Sequence, residues 1–174
     1  MIGMSSSWLA TKGYNIRSSV EKIFDLDFDL VELGAAHKYE PKAMQIVKLL
    51  KKQHPDKKFT VHTLFPPLEE FFMFNIADTK AFDKNIRALK TLFQVGKIVD
   101  AEVIGIHGGY KRELEWGESH FGFTKFKFGE KIDDSEARRN VERVLEVALS
   151  LAEKNGIKLC VETDAAGGED GCMV

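Results

Sequence analysis

The sequence has few cysteines, few prolines and no strong charge of either sign. Its 174 residues include 2 Cys and 4 Pro, and 25 Lys and Arg stand against 27 Asp and Glu, for a formal net charge of −2. The two cysteines, Cys160 and Cys172, are too few for a disulfide framework and lack zinc-type spacing, which favours a reducing, cytoplasmic location. The balanced charge argues against a protein that coats nucleic acid, so a nucleic-acid partner is not expected.

Long apolar runs are also missing. No window approaches the roughly 18 apolar residues of a membrane-spanning helix. The first residues carry neither a positive leader nor an apolar stretch typical of a signal peptide, so we expect no membrane partner. Nucleotide-binding motifs of the GxGxxG or P-loop type, flexible linkers and exact repeats are absent too. These absences predict a single domain over residues 1–174.

The sequence does contain a regular alternation of short apolar runs and longer amphipathic stretches, which is typical of parallel β/α units. The apolar runs predict five strands, near 1–6, 28–34, 57–63, 101–107 and 157–163. Helical spacing between them predicts helices near 16–24, 41–53, 79–99 and 135–155. The fold class is therefore predicted to be α/β.

Two architectures fit this count of strands. A flavodoxin-like sheet needs about five strands, whereas an eight-unit β/α barrel typically needs about 250 residues. After the fifth strand the sequence reads as a loop without a closing helix. We therefore expect the N-terminal portion of a barrel, truncated after strand five, whose completion would come from a C-terminal half or from a homo-oligomer.

Ionisable residues end four successive predicted strands on one face. Period-two alternation aims His62, His107 and Glu162 inward at the ends of strands three to five. The C-terminal rim of a β/α barrel is where its chemistry occurs, and imidazole nitrogen with carboxylate oxygen suits a divalent Zn, Mn, Fe or Co ion. The pattern thus predicts a metal site; the alternative is a set of separate hydrogen-bonded rim residues. Glu32 occupies the equivalent position on strand two, but it could pair with a nearby Lys or with His37 instead of binding a metal.

Three further segments carry polar or aromatic residues. His37 follows strand two and has a functional or a structural reading, whereas His54 is predicted to be structural because a basic residue favours a helix C-terminus. The stretch 110–131 after strand four is too long for a simple βα loop and contains Tyr110 and Trp116. It is either a lid over the site or an insertion that packs on itself. Phe65, in an aromatic excursion after strand three, either lines a site or is buried.

The chain resembles the xylose isomerase-like TIM barrel superfamily, which groups sugar and sugar-phosphate isomerases and epimerases with the endonuclease IV (AP endonuclease family 2) proteins. The resemblance rests on four ordered motifs, Val31-Glu32-Leu33, Val61-His62-Thr63-Leu64-Phe65-Pro66, Ile106-His107-Gly108-Gly109 and Val161-Glu162-Thr163. The sequence departs from the superfamily in having His-Gly-Gly where His-Pro-Gly is frequent, in having Glu-Thr where Glu-Asn is frequent, and in lacking strands six to eight.

The resemblance implies a (β/α)8 TIM barrel, of which this chain holds about the first five strands, with a barrel-mouth site for one to three divalent ions such as Mn, Zn, Co or Mg. It implies that His62, His107 and Glu162 are metal ligands and that Glu162 is catalytic. The expected activity is isomerisation or epimerisation of a small sugar or sugar phosphate by metal-assisted proton transfer. Substrate contacts are expected from a set of rim residues: Glu32, His37, Phe65, Tyr110 and Trp116. Two alternatives remain, an endonuclease IV-like zinc phosphodiesterase acting on abasic DNA and a catalytically silent barrel scaffold.

Overall fold

The computed structural model describes residues 2–69, 72–120 and 123–162, with the backbone alone for residues 115–120 and 123–128. The strands, in chain order, are β1 (Gly3–Ser5), β2 (Leu30–Leu33), β3 (Lys58–His62), β4 (Val103–His107), β5 (Arg112–His120), β6 (Phe123–Lys131) and β7 (Lys158–Glu162). The helices are α1 (Ser6–Ala10), α2 (Ile16–Asp25), α3 (Ala43–Gln53), α4 (Phe82–Ile98) and α5 (Asp134–Asn155). None of these described helices is long and apolar enough to cross a membrane.

Five strands form one parallel sheet in the order β1-β2-β3-β4-β7. Each of them lies inside the range predicted for it from the sequence. The order follows the chain because α2, α3, α4 and α5 each return the chain to the next strand, as right-handed β/α crossovers do. The C-terminal ends of all five strands therefore meet at one rim.

Local sequence signals set the helix ends. The Asn15 side chain caps α2 by accepting a hydrogen bond from the Ser18 backbone N–H, and the Ser18 hydroxyl oxygen in turn accepts one from the Asn15 N–H. Gly156 ends α5 in the left-handed conformation, with a φ of 65°. The helix predicted near 41–53 begins at Ala43, after a turn closed by a hydrogen bond from the Ala43 N–H to the Glu40 carbonyl.

Alternation along the strands separates a packed face from an inner face. Phe59 and Val61 of β3, together with Ile104 and Ile106 of β4, are buried in the main apolar core. Ile104 packs so closely on α4 that a Cβ on Gly96 would lie 2.8 Å from its Cδ1 atom. Thr60, between Phe59 and Val61, and Gly105, between Ile104 and Ile106, lie on the opposite face of the sheet, as the period-two pattern predicts.

Two elements were not expected from the sequence. Helix α1 begins directly after β1, capped by the Ser5 side chain, which accepts from the Ser7 N–H. Within the predicted insertion 110–131, β5 and β6 form an antiparallel hairpin. Its ends are tied together by a hydrogen bond from the Ile132 N–H to the Lys111 carbonyl. The lid role of this hairpin stays a prediction.

Candidate metal centre

Three predicted ligands converge at the C-terminal ends of β3, β4 and β7. His62, His107 and Glu162 each offer one ligand atom, and these atoms lie within 4.8 Å of one another. His107 and Glu162 are paired directly across β4 and β7. The His62 and His107 rings meet edge to face with their centroids 4.9 Å apart. The three side chains therefore share a face, as the sequence predicts, and they also lie close to one another.

The hydrogen bond made by His62 fixes which of its ring nitrogens is available. Nδ1 lies 2.8 Å from the backbone carbonyl oxygen of Thr63. A carbonyl oxygen can only accept, so Nδ1 must carry the proton and donate it. In the neutral ring, Nε2 then presents its lone pair, which is the form of histidine that binds a metal ion.

The free nitrogen of His62 faces a carboxylate. Nε2 lies 2.8 Å from the Oε2 atom of Glu162. Although it is buried and that close, Nε2 makes no hydrogen bond of acceptable geometry with any group in the described part of the chain. A lone pair and a carboxylate oxygen at this distance repel each other unless a positive charge lies near both. This arrangement fits a bound cation.

The donor set also fits a divalent ion. Two imidazoles and one carboxylate are a ligand set found in catalytic zinc sites, which keep a further position open. Atoms bonded to one ion at about 2.0–2.2 Å lie no more than about 4.4 Å apart. The spread of up to 4.8 Å in this cluster therefore needs only a small movement. The Glu162 side chain can supply it, because 58% of that side chain is exposed.

A second histidine at the same rim is held differently. The His37 Nε2 atom lies 3.0 Å from the Ser6 hydroxyl oxygen, and that oxygen accepts a hydrogen bond from the Gly34 N–H. His37 is 7% exposed and Ser6 fully buried, and the ring packs edge-on against Phe65 with a centroid distance of 6.0 Å. Burial lowers the pKa of His37 from its ordinary value of 6.5 to about 4. His37 is therefore neutral at physiological pH.

The other predicted substrate contacts are distributed along this rim. Glu32 is half-buried on the inner face of β2, whereas Phe65 and Tyr110 are buried. The Trp116 side chain lies outside the described residues, as does Cys172. As substrate contacts, these residues and His37 stay predictions.

One buried amide fixes the loop that leaves β4 next to His107. The Asn75 Oδ1 atom accepts hydrogen bonds from the N–H groups of Tyr110 (2.8 Å) and Ala77 (3.2 Å). Its Nδ2 atom donates to the carbonyls of Tyr110 (3.2 Å) and Arg112 (2.9 Å). Gly109, at a φ of 86°, lets the chain pass close to this amide. Asn75 thus holds the start of β5, a few residues after His107 in the chain.

Residues 20–172 match the pattern of the family described as xylose isomerase-like TIM barrel. The chain belongs to this family. The membership confirms the predicted superfamily and the predicted α/β barrel class, and the five-stranded parallel sheet is its structural counterpart. A search of curated proteins finds no match.

Solved structures show the same fold. The chain is similar to a D-tagatose 3-epimerase-like protein, with 22% identity, a TM-score of 0.66, and coverage of 98% of this chain and 54% of that one. It is similar to a D-psicose 3-epimerase from Clostridium cellulolyticum H10 (16%, TM-score 0.59, 92% and 51%). It is also similar to an AP endonuclease, family 2, from Brucella melitensis (13%, TM-score 0.66, 99% and 58%). The chain spans about half the length of these proteins.

Sequence reasoning missed two residues that shape this site. The Thr63 carbonyl orients His62, and a backbone acceptor leaves no signal in a sequence. Gly105 lies under the His62 ring. Its signal was present, because an isolated glycine inside a strand pattern often marks the close approach of another group.

Proposed function

We propose that this chain carries the divalent-metal centre of a sugar or sugar-phosphate isomerase or epimerase. The observation that supports the proposal is the convergence of His62, His107 and Glu162 on one point at the barrel rim. The His62 Nε2 atom, 2.8 Å from the Glu162 carboxylate without a hydrogen bond to it, supports the proposal further. A D-psicose 3-epimerase and a D-tagatose 3-epimerase-like protein are among the solved structures similar to this chain.

The ligand chemistry ranks the candidate ions. Imidazole nitrogens suit Zn, Co and Mn better than Mg, which prefers an octahedral shell of oxygen ligands and retains several waters. Two of the three donors here are imidazoles. We therefore expect Zn, Co or Mn at this site and place Mg last among the predicted ions.

The chain's own residues have distinct tasks in such a reaction. A bound divalent ion would act as a Lewis acid that polarises a carbonyl group and its neighbouring hydroxyl. His62, His107 and Glu162 would hold that ion. A carboxylate must remove the proton from the carbon beside the carbonyl, and Glu162 and Glu32 are carboxylates on the inner face. His37 and Phe65, which are buried and pack edge to face, would present an apolar surface at the rim that helps to exclude water.

The convergence of two histidines and a glutamate also supports a second candidate, an endonuclease IV-like zinc phosphodiesterase acting on abasic DNA. An AP endonuclease, family 2, is among the similar structures. A DNA-binding enzyme needs a basic groove, because neutralisation of phosphates dominates its affinity. With 25 basic against 27 acidic residues, the composition favours the sugar reaction.

The first experiment tests the metal. The chelator-stripped chain is titrated with Zn, Co and Mn while bound metal and melting temperature are measured. We expect about one ion per chain, as a three-ligand site with an open position holds, and a rise in melting temperature on binding. A melting temperature that ignores all three ions would contradict the proposal and favour the silent scaffold.

The second experiment tests the reaction. Loaded protein is incubated in D2O with ketohexoses and sugar phosphates, and incorporation of deuterium at the carbon beside the carbonyl is followed by NMR. We expect exchange that depends on the metal and is lost in Glu162→Gln, with His54→Gln as the matched control. Cleavage of an abasic duplex without sugar exchange would instead establish the second candidate.

A further inference from the structure

The strand register leaves His62 and Glu162 on strands that are not neighbours. His62 is paired with Gly105 on β4, and Gly105 is paired in turn with Cys160 on β7. Glu162 lies two residues beyond Cys160, beside His107. Strands two places apart in a sheet are separated by roughly 9–10 Å. The His62 side chain must therefore cross β4 diagonally to bring Nε2 within 2.8 Å of Glu162.

The His62 ring crosses β4 directly over Gly105. A Cβ atom placed on Gly105 would lie 2.5 Å from the His62 Cδ2 atom and 3.1 Å from its Nε2 atom. Cβ atoms essentially never approach a neighbour as closely as 2.5 Å. Any side chain at this position would therefore push away the part of the ring that carries the ligand nitrogen.

The ring has little room to move aside. Its Nδ1 atom is tied to the Thr63 carbonyl at 2.8 Å, and its flank rests on the His107 ring. The His62 side chain is only 15% exposed, so solvent offers little space into which it could turn. Displacing the ring means breaking the Thr63 hydrogen bond, separating the two rings, or both.

We propose that Gly105 is a positioning residue, whose missing side chain is the gap through which His62 reaches across β4 to Glu162. Its consequence for metal binding rests on the proposed function, whereas its effect on the His62 ring does not. Gly105 has no side-chain atom that could bind an ion or a substrate. It acts by allowing one ring orientation, in which Nδ1 donates to Thr63 and Nε2 faces the carboxylate.

The test compares Gly105→Ala with Cys160→Ala. Cys160 is the inward neighbour of Gly105 on β7 and is exposed, so its variant makes an equally small change on the same face without approaching His62. In metal-free protein, the ring ¹⁵N shifts of His62 report which nitrogen carries the proton. We expect the Nδ1–H form in the wild type and in Cys160→Ala, and its loss in Gly105→Ala. An unchanged His62 signal in Gly105→Ala would overturn the proposal, whether or not the protein binds metal.

Metal affinity gives the second readout. We expect Gly105→Ala to weaken Zn or Co binding by about 10–100-fold, the range typical when a group that orients a ligand is lost. In the His62→Ala background, Gly105→Ala should have no further effect, because the ring through which it acts is gone. Equal losses in both backgrounds would show that Gly105 acts elsewhere.

The outcomes also separate this inference from the proposed function. Wild-type protein that binds no ion, yet shows the Nδ1–H form only while Gly105 is present, would refute the metal proposal and support the positioning role. Wild-type protein that binds an ion as tightly as Gly105→Ala does would support the metal proposal and refute the positioning role. The His62→Ala background controls for misfolding, since the alanine at 105 meets no ring there.

Discussion

His62 and His37 lie at the same end of one sheet, but their ring nitrogens have different neighbours. The His62 Nε2 atom faces the carboxylate of Glu162 without a hydrogen bond. The His37 Nε2 atom lies 3.0 Å from the Ser6 hydroxyl, and the buried His37 ring packs edge to face against Phe65. The His62 ring thus faces an acidic group that would attract a cation, whereas the buried His37 ring contacts a neutral hydroxyl.

The difference comes from the side chains that the neighbouring strands and helix place beside each ring. Beside His62, β4 contributes a glycine and β7 a carboxylate, so the ring can reach a charged partner across the sheet. Beside His37, α1 contributes a buried hydroxyl and no acid. The position of a histidine on the rim is therefore not enough to propose a metal ligand; the groups next to its ring nitrogens carry that proposal.

The largest expected effect comes from removing the acidic partner. Since losing a group that merely orients a ligand costs about 10–100-fold in metal affinity, Glu162→Gln should cost about 100-fold or more. The folding stability of the metal-free chain should change little, because the side chain is more than half exposed. Affinity is measured by competition with a chromogenic chelator.

The matched control for that change is Glu32→Gln, which neutralises an inner-face carboxylate outside the ligand cluster. It should leave metal affinity unchanged. If both variants weakened binding equally, the ion would be attracted by the general negative charge of the rim, and the contrast between the two ends of the sheet would fail.

His37 should produce the next largest effect, in the dependence of stability on pH. Its pKa is about 4 when folded against an ordinary value of 6.5, so between these values the unfolded chain binds the proton and the folded chain does not. Above about pH 6.5, His37 therefore costs no free energy of unfolding. As the pH decreases from 6.5 towards 4, the free energy of unfolding falls, and below pH 4 His37 causes no further loss. The difference between the two pKa values corresponds to roughly 3 kcal/mol.

The measurement is the free energy of unfolding of wild type and His37→Gln between pH 7 and pH 4. Other titrating groups are common to both proteins, so the difference between the two curves isolates His37. The wild type should lose more stability than the variant over this window. Parallel curves would show that His37 is not sealed from solvent, which would remove its contrast with His62.

The sequence was sufficient for the elements and faces of this fold, and insufficient for the contacts between distant strands. Alternation of buried and open residues predicted all five parallel strands and placed His62, His107 and Glu162 on one face. The hairpin was missed as secondary structure, although Lys125, Phe126, Lys127 and Phe128 alternate as a strand does. That alternation carried little weight beside the glycines and mixed charges around it.

The orientation of His62 could not be predicted for a physical reason. It depends on a backbone carbonyl at Thr63 and on a gap at Gly105, a residue 43 positions away along the chain that only the sheet register brings beneath the ring. The sealing of His37 likewise depends on Ser6, 31 residues earlier. Such pairings follow from tertiary packing, which local periodicity does not encode.

The smallest expected effect concerns His54, which sharpens the comparison by placing a third histidine away from the rim. His54 follows the C-terminus of α3, and its ring packs against Phe24 with a centroid distance of 4.8 Å. Because this contact is structural, His54→Gln should cost about 0.5–1.5 kcal/mol in the free energy of unfolding, the range for paired aromatic rings. Metal affinity should not change, because His54 precedes the N-terminal end of β3, whereas His62, His107 and Glu162 lie at the C-terminal ends of their strands. A loss of affinity comparable with that in Glu162→Gln would mean that the ion binds at the opposite end of the sheet.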